Sequence, residues 1–257
     1  FFDGFRTSHE LCKVEEPDLD ALTALVDKDA LAAFRAGAQN PEHPTVRGTV
    51  QNSDIFFQAR EASRRFYDDL PAVVEDYLQK VGALTGREYH LFQYYGDSAA
   101  EEVIIAMGSV SGTIKETVDV LRASGRKVGF VQVHLFRPFS CERLLAALPG
   151  TVKRIAVLDR CAEMGSAGEP LYLDVCAALV NSGRSCLVTG GRYGLSSKDT
   201  TPSQIRDVFD NLRRPEPMNH FSIGITDDVT MRSLPAGENM DMEENDILMS
   251  CKFWGLG

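Results

Sequence analysis

The stretch GSVSGT, which contains Gly108, Gly112 and Thr113, has the residue types of a phosphate-binding loop. It lies between the apolar run EEVIIAM and a helical pattern, and anions bind at such junctions. A Walker loop has four residues between its glycines and then Lys, whereas three residues separate Gly108 from Gly112 and Thr113 follows. The dinucleotide fingerprint G-x-G-x-x-G is broken at Val110. A helix N-terminus that binds an anion stays open as an interpretation, but we favour a tight turn from a strand into a helix.

A second glycine-rich stretch, TGGRYGLSSKD, follows another apolar run and contains Gly190, Gly191 and Arg192. Ligands of open parallel sheets gather at the carboxyl ends of the strands, so this loop is a second candidate for cofactor binding. An interface loop that packs on a neighbouring domain explains the same composition, and both interpretations stay open.

Residues that could carry acid–base chemistry are few. Asp159 and Glu163 resemble paired carboxylates, but we favour a solvated turn or an interface ion pair for them. His134 lies in an apolar strand pattern and is interpreted as a core histidine. His9 lies in the polar segment Thr7–Glu10, whose spacing fits a helix capping box or a functional contact. No Ser-His-Asp set emerges, so we predict no catalytic residue in this chain.

Cysteine spacing argues against a metal centre. The cysteines are Cys12, Cys141, Cys161, Cys176, Cys186 and Cys251. No CxxC motif occurs among them, so the sequence contains neither a local zinc knuckle nor a ferredoxin-type cluster motif. We therefore predict no metal site and reduced, mostly buried thiols.

The charge balance narrows the possible partners. The formal net charge is -10 and the isoelectric point is near 5.0. Binding to nucleic acid or to an anionic membrane surface needs clustered Lys and Arg, so neither is expected. No apolar run approaches the ~20 residues of a membrane span. We expect a soluble intracellular protein of the cytoplasm or of an organelle matrix or stroma.

Residues 97–231 alternate between apolar runs and amphipathic patterns. The apolar runs are EEVIIAMGSV, KVGFVQVHLF, VKRIAVLDR and RSCLVTGGRYG, and a helical pattern follows each of them. Strict alternation with continuously apolar strands is typical of a parallel sheet with helices on both faces. The sequence therefore predicts an α/β domain with a doubly wound parallel sheet.

Residues 1–96 read as mostly helical. Residues 17–38 are rich in Ala and Leu, and residues 54–67 have apolar side chains at helical spacing. A further helix is predicted to begin after Pro71 and to end at Gly86.

The other end of the chain has a different character. Residues 232–245 are acidic and poor in apolar side chains, which is typical of a linker. Residues 246–257 are predicted to form the first strand of another domain. Because the sequence starts at Phe1 rather than Met and ends in SCKFWGLG, we expect a piece of a longer polypeptide.

Several strings of the sequence together resemble one family, the pyruvate:ferredoxin (flavodoxin) oxidoreductases. They are FFDGFRTSHE, RGTVQNSDIFFQARE, LTGREYHLFQYYG, EEVIIAMGSVSGTIKETVDVLRASGRKVGFVQVHLFRPF, VLDRCAEMGSAGEPLYLDV, GGRYGLSSKDTTPSQI and CKFWGLG. They cover almost the whole chain and are similar to the middle of the long oxidoreductase polypeptide. The related pyruvate:NADP oxidoreductase shares this part.

The resemblance implies a parent enzyme that oxidatively decarboxylates pyruvate to acetyl-CoA and CO2 and passes electrons to ferredoxin or flavodoxin. It implies thiamine diphosphate, magnesium and iron–sulfur clusters as cofactors, coenzyme A as a substrate, and a homodimer. Residues 1–96 would end the thiamine-pyrimidine-binding domain, and residues 97–231 would form a domain similar to the transketolase C-terminal domain. Residues 246–257 would open the coenzyme A-contacting domain, whose glycine-rich loop begins near Gly255 and Gly257.

The resemblance implies that the family's substrate and cofactor residues lie outside this sequence. We therefore expect no cofactor in the chain itself and interpret it as a scaffold that contacts the remaining domains of the parent. Two alternatives stay open: a part of pyruvate:NADP oxidoreductase, and a stand-alone α/β module that binds a nucleotide or another anion through its glycine loops.

Overall fold

The computed structural model describes residues 15–46, 48, 50–196, 198–228 and 230–240. Six strands form one sheet in the order β1-β3-β2-β4-β5-β6. The strands are β1 (Phe92–Gly96), β2 (Glu102–Met107), β3 (Val128–Val133), β4 (Arg154–Asp159), β5 (Leu187–Arg192) and β6 (Phe221–Ser222). The helices are α1 (Leu19–Ala24), α2 (Lys28–Ala36), α3 (Phe56–Thr85), α4 (Ser111–Ala123), α5 (Cys141–Ala147), α6 (Pro170–Ser182) and α7 (Pro202–Arg213).

The predicted doubly wound α/β architecture is confirmed. Strands β2 to β6 are parallel, and helices cover both faces of the sheet. Ile104 of β2 packs in the cluster with α4 and α7, whereas its neighbour Ile105 packs in the cluster with α5 and α6. Because both faces of the central strands are buried, residues 103–107 of β2 and residues 155–158 of β4 are continuously apolar instead of alternating.

The two outer strands were not predicted. Strand β1 pairs antiparallel with β3, so the sheet begins at Phe92, within the segment predicted to be helical as far as residue 96. Strand β6 has two residues and pairs with the end of β5. Both strands are extended because each pairs with a strand distant in sequence. A local sequence pattern does not predict such pairing.

Helix α3 corrects the prediction of a break at Leu70–Pro71. One helix of 30 residues runs through Pro71 and ends at Gly86, whose left-handed conformation caps it as predicted. A proline in a helix interior costs about 3 kcal/mol, but Val74 and Leu78 pack against the sheet and hold the following turns in place. None of the helices in the described residues combines the length and apolar character needed to cross a membrane.

A carboxylate on α3 fastens this helix to the start of β1. Glu75 accepts a hydrogen bond from the backbone N–H of Leu91 at 3.0 Å, and its other oxygen lies 2.6 Å from Nδ1 of His90. Burial raises the pKa of Glu75, but the bonds from His90 and Leu91 outweigh burial, so this pKa is lowered. The bonds to Glu75 and Glu88 raise the pKa of His90. The pair therefore favours a charged imidazolium beside a charged carboxylate.

We predict that Glu75→Ala lowers the free energy of unfolding by about 1–3 kcal/mol, because the N–H of buried Leu91 loses its acceptor. Glu75→Gln keeps an acceptor for that N–H and serves as the matched control with a smaller loss. A raised His90 pKa contributes stability that is full below about pH 6.5 and lost as pH rises through the folded-state pKa. Urea unfolding at about pH 6 and pH 8 should therefore show a weaker pH dependence in both variants, and unchanged slopes would contradict the prediction.

Candidate functional site

The carboxyl edge of the sheet carries two cavities. One, of about 420 Å³, lies between residues 162–169 after β4 and residues 192–195 at the end of β5, and we call it the β4–β5 pocket. The other, of about 320 Å³, lies between residues 109–113 on one side and residues 193–194 and 198–202 on the other, and we call it the switch-point cleft. The chain leaves β2 toward β3 but continues from β4 toward β5, so the strand order reverses between β2 and β4. Ligands of doubly wound folds bind at such reversals.

The first glycine loop lines the switch-point cleft through Ser109, Val110 and Thr113. Gly108 has φ of 85°, and its carbonyl accepts a hydrogen bond from Oγ of Ser111 at 2.7 Å. The backbone of Gly108 therefore makes the turn into α4, in agreement with the favoured interpretation. Gly112 lies in the first turn of α4, where an added Cβ would meet no atom within 4 Å. This position needs no glycine for packing.

The glycines of the second loop make room for aromatic rings. A Cβ on Gly190 would lie 2.9 Å from the ring of Tyr172, and a Cβ on Gly191 would lie 2.9 Å from Leu158 and closer still to the ring of Phe221. The N–H of Gly190 also donates to Oδ1 of Asn219 at 2.7 Å. Both glycines thus serve packing within the sheet and its cover.

An ion pair and a hydrogen bond fix the side chain of Arg192. Its Nη1 lies 3.3 Å from Oε1 of Glu169, and its Nη2 donates to the carbonyl of His220 at 2.7 Å. The Arg192 side chain is 18% exposed and that of Glu169 is 3% exposed. Arg192 therefore forms one wall of the β4–β5 pocket as part of an internal ion pair.

Asp159 is a buried carboxylate, and its interpretation as part of a solvated turn was wrong. Its two oxygens accept hydrogen bonds from the N–H groups of Leu171 and Tyr172 at 3.0 and 3.1 Å, at the start of α6. Burial raises the pKa of Asp159 to about 6, although these two bonds oppose the change. Glu163 is exposed, whereas Glu169 is the other buried carboxylate at this edge.

Of the two histidines interpreted in the sequence, His134 lies among the described residues and His9 does not. His134 is exposed, just beyond the end of β3, and its Nδ1 lies 2.7 Å from the carbonyl of His90, so its interpretation as a core histidine was wrong. His9 and the segment Thr7–Glu10 lie outside the described residues, as do Gly255 and Gly257.

Two of the thiols in the described residues have a raised pKa. Cys141, Cys161, Cys176 and Cys186 are free and partly exposed, so they are less buried than predicted. Burial raises the pKa of the Cys161 thiol to about 11 and also raises that of Cys176, which keeps both protonated at neutral pH. Within the described residues, no group of three or more His, Cys, Asp or Glu side chains is arranged to hold a metal ion.

Two important residues of this edge were missed in the sequence. Glu169 directly precedes the first residue of α6, and one of its oxygens, Oε2, is buried without a hydrogen-bond partner among the described residues. Arg160 donates to the carbonyls of Gly194 and Ser196 at 2.7 and 3.1 Å and so ties the loop after β4 to the loop after β5. Pro170 directly follows Glu169 and signals the start of a helix in the sequence. This signal does not predict that the side chain of Glu169 is buried.

Two family models match this chain. The model for pyruvate:ferredoxin oxidoreductase core domain II matches residues 100–205, and the model for the thiamine diphosphate-binding part of pyruvate flavodoxin/ferredoxin oxidoreductase matches residues 1–79. Together they cover the helical segment up to Gln79 and most of the sheet. The chain belongs to the pyruvate:ferredoxin (flavodoxin) oxidoreductase family. The resemblance identified in the sequence is thereby confirmed.

Curated members of this family align along the whole chain. A pyruvate-flavodoxin oxidoreductase of Klebsiella pneumoniae is 54% identical, and a pyruvate:ferredoxin oxidoreductase of Moorella thermoacetica is 53% identical, each over 100% of this chain. A protein of Cryptosporidium parvum named pyruvate dehydrogenase [NADP(+)] is 45% identical over 100% of this chain. The chain spans 22% of the length of the first two proteins and 14% of the third.

We predict opposite effects for alanine at the two glycines of the first loop. Gly108→Ala should lower the free energy of unfolding by about 1–3 kcal/mol, because a residue with a side chain is strained at this φ. Gly112→Ala should raise the free energy of unfolding by about 0.4–1 kcal/mol, because alanine restricts the unfolded chain and meets open space in α4. Urea unfolding measures both values. Similar losses in both variants would mean that Gly112, too, is needed as glycine.

We predict that Asp159 makes folding more favourable as pH falls from about 7 to about 4. Its folded-state pKa of about 6 lies above the ordinary value of 3.8, so the folded state takes up the proton first. Protonation should raise the free energy of unfolding by up to about 3 kcal/mol over this range. Asp159→Asn cannot titrate, so the difference in stability between wild type and variant should change with pH. Parallel curves in urea unfolding would contradict the prediction.

Proposed function

We propose that this chain is part of a pyruvate:ferredoxin (flavodoxin) oxidoreductase and serves there as a scaffold between domains. The whole enzyme would oxidatively decarboxylate pyruvate to acetyl-CoA and CO2 and reduce ferredoxin or flavodoxin. Sequence identity of 54% along the entire chain to a pyruvate-flavodoxin oxidoreductase supports this assignment. Gly108 makes the turn into α4, and Gly190 and Gly191 make room for aromatic rings. These observations support a structural role for the three glycines rather than a ligand site.

The observation that carries the scaffold role is the exposed apolar surface of α3. Phe56, Phe57, Phe66 and Tyr67 are between 53% and 72% exposed, and within α3 only Glu75 and Gly82 are buried. Four large aromatic side chains exposed in the first half of one helix indicate that another part of the parent covers them. The thiamine diphosphate-binding family model covers the segment that includes these side chains. We infer that the rest of the thiamine-binding domain covers this surface in the parent enzyme.

We retain the predicted division of the chain with one change. Residues 1–91 would end the thiamine-binding domain, residues 92–231 would form the transketolase-like domain, residues 232–245 would be a linker, and residues 246–257 would open the next domain. Because Phe92–Gly96 pair with β3, we assign this strand to the sheet domain. Thiamine diphosphate, magnesium, iron–sulfur clusters and coenzyme A would be held by residues outside this chain. The parent would be a homodimer of the cytoplasm or of an organelle matrix or stroma.

The electron acceptor separates this proposal from its main alternative. The relative from Cryptosporidium parvum, whose name states NADP(+), aligns with the whole of this chain, so a parent that reduces NADP(+) is the second candidate. The purified full-length enzyme, supplied with pyruvate and coenzyme A, should release CO2 with ferredoxin or flavodoxin as acceptor. Turnover with NADP(+) alone would favour the alternative. Absence of turnover with all three acceptors would overturn the proposed activity.

We predict that Phe57→Glu destabilises the full-length enzyme but not this chain alone. Phe57 is 72% exposed here, so a charged side chain has little to disrupt in the isolated chain. In the parent the same side chain would be buried, and a buried unpaired carboxylate would cost several kcal/mol. Thermal unfolding of both proteins measures the effect.

The matched control for this test is Gln58→Glu, which adds the same charge at the neighbouring exposed position of α3. It should leave both proteins near their wild-type transition temperatures. Equal behaviour of the two variants in the full-length enzyme would show that Phe57 stays exposed there and would refute the covered interface.

A further inference from the structure

We propose that the β4–β5 pocket is a docking site for an acidic segment of the parent polypeptide that inserts an apolar side chain. This inference rests on the proposed function, because the segment is supplied by a part of the parent outside this chain. It assigns an occupant to a cavity that is lined in part by Arg192 and Lys198 of the second glycine loop.

The pocket has the form of a receptor for a side chain. Its volume of about 420 Å³ lies at the small end of the range for ligand sites. Met164, Leu195 and Ile225 line it and are 88%, 43% and 39% exposed. An apolar side chain that enters the pocket would cover these three residues and gain the free energy of burying apolar surface.

The charges at the pocket favour an acidic occupant. The cations that line it are Arg192, Lys198 and Arg232, and the anions are Glu163 and Glu169, so three positive charges face two negative ones. Arg192 is already paired with Glu169. Lys198 and Arg232 are exposed and have no ion-pair partner among the described residues. A net positive site in a chain of net charge -10 points to a negatively charged partner.

The orphaned oxygen of Glu169 distinguishes a peptide from a simple anion. Oε2 of Glu169 is shielded from water and lacks a donor within the described residues, and such an atom costs free energy until a donor reaches it. A phosphate would place a like charge beside this carboxylate, since its partner Arg192 is already engaged on Oε1. A polypeptide presents an uncharged backbone on the side of Glu169 and acidic side chains on the side of Lys198 and Arg232, so it avoids this repulsion.

Tethering makes such a small contact sufficient. Under the proposed function, the segment belongs to the same polypeptide, and a linked segment binds at a high effective concentration. A pocket with one apolar side chain and two ion pairs can then stay occupied without high intrinsic affinity. The loop of residues 162–168, which forms one wall, is also braced through Arg160 and Arg192 and needs no folding on docking.

The test compares acetylation of Lys198 in the isolated chain and in the full-length enzyme, with N-hydroxysuccinimide acetate as the probe and mass spectrometry as the readout. Docking should slow the reaction of Lys198 roughly tenfold in the full-length enzyme, which corresponds to about 1.4 kcal/mol. Arg232→Glu removes one of the two cations and should restore much of the Lys198 rate in the full-length enzyme. The same substitution should leave the rate in the isolated chain nearly unchanged. Equal Lys198 rates in the isolated chain and the full-length wild type would overturn the proposal.

Carbodiimide cross-linking identifies the occupant. The reagent should join Lys198 of the full-length enzyme to an Asp or Glu of the same polypeptide that lies outside residues 1–257. Lys198→Arg keeps the charge but cannot form the amide, so it is the matched control and should lose the link. Protection of Lys198 without a link to an acidic residue, or a link between two copies in isotope-mixed protein, would refute the assignment. These outcomes are independent of turnover and of Phe57, so the pocket can fail while the proposed function stands.

Discussion

The carboxyl edge of this domain depends on one buried carboxylate. Asp159 ends the central strand β4, and both of its oxygens accept N–H groups from the first turn of α6. The residue at the N-cap position of α6, Glu169, provides no side-chain cap, so a side chain from the preceding strand takes over this task. Residues 160–169 are therefore closed into a loop with both ends fixed. That closed loop forms one wall of the β4–β5 pocket.

Burial of the Asp159 carboxylate costs free energy, which the neighbouring contacts partly offset. Removal from water disfavours the charged carboxylate, while the N-terminus of α6 and its two N–H donors favour it. Glu169 adds a second buried carboxylate nearby, and Arg192 balances it. Arg160 then connects the loops after β4 and β5 by direct bonds to the carbonyls of Gly194 and Ser196. Charged groups at this edge thus fix loop positions rather than add much net stability.

At the opposite, amino-terminal edge of the sheet, a carboxylate again holds the neighbouring elements in place. Glu102 at the start of β2 lies 2.7 Å from Nε of Arg213 and 3.2 Å from Nη2 of Arg126, which also pairs with Asp210. This cluster joins the amino end of the central strand to α7 and to the turn before β3. The sheet is therefore held at both ends by carboxylates of its two central strands, and the helices between them bury the apolar faces.

Local patterns carry much of this fold but little of its chemistry. Helices α4 to α7 are predictable because burial of one face imposes a helical period on each segment. Strands β2 to β5 are predictable because burial of both faces makes each of them a short apolar run. Strand β1 and the passage of α3 through Pro71 escape prediction because contacts with distant residues decide them. The roles of the glycines are equally hard to predict from local sequence. Gly112 and Gly191 both lie in glycine-rich stretches, yet a Cβ on Gly112 would meet open space, whereas a Cβ on Gly191 would meet the ring of Phe221. The burial of Asp159 and the ion pair of Glu169 likewise depend on α6 returning to the end of β4.

The exposed apolar side chains of α3 and of the β4–β5 pocket follow from this arrangement. The sheet is fully packed within this chain, since helices cover both of its faces and charged groups fix the ends of its central strands. Helix α3 is fixed to the sheet mainly through Glu75 and a few apolar contacts, and its aromatic side chains are left outward. The β4–β5 pocket has rigid walls but an open apolar lining. Exposed apolar groups on elements that are otherwise firmly held cannot be buried by local collapse, so they require a neighbour of complementary shape. A domain with a self-sufficient core and two such surfaces is suited to connecting other domains.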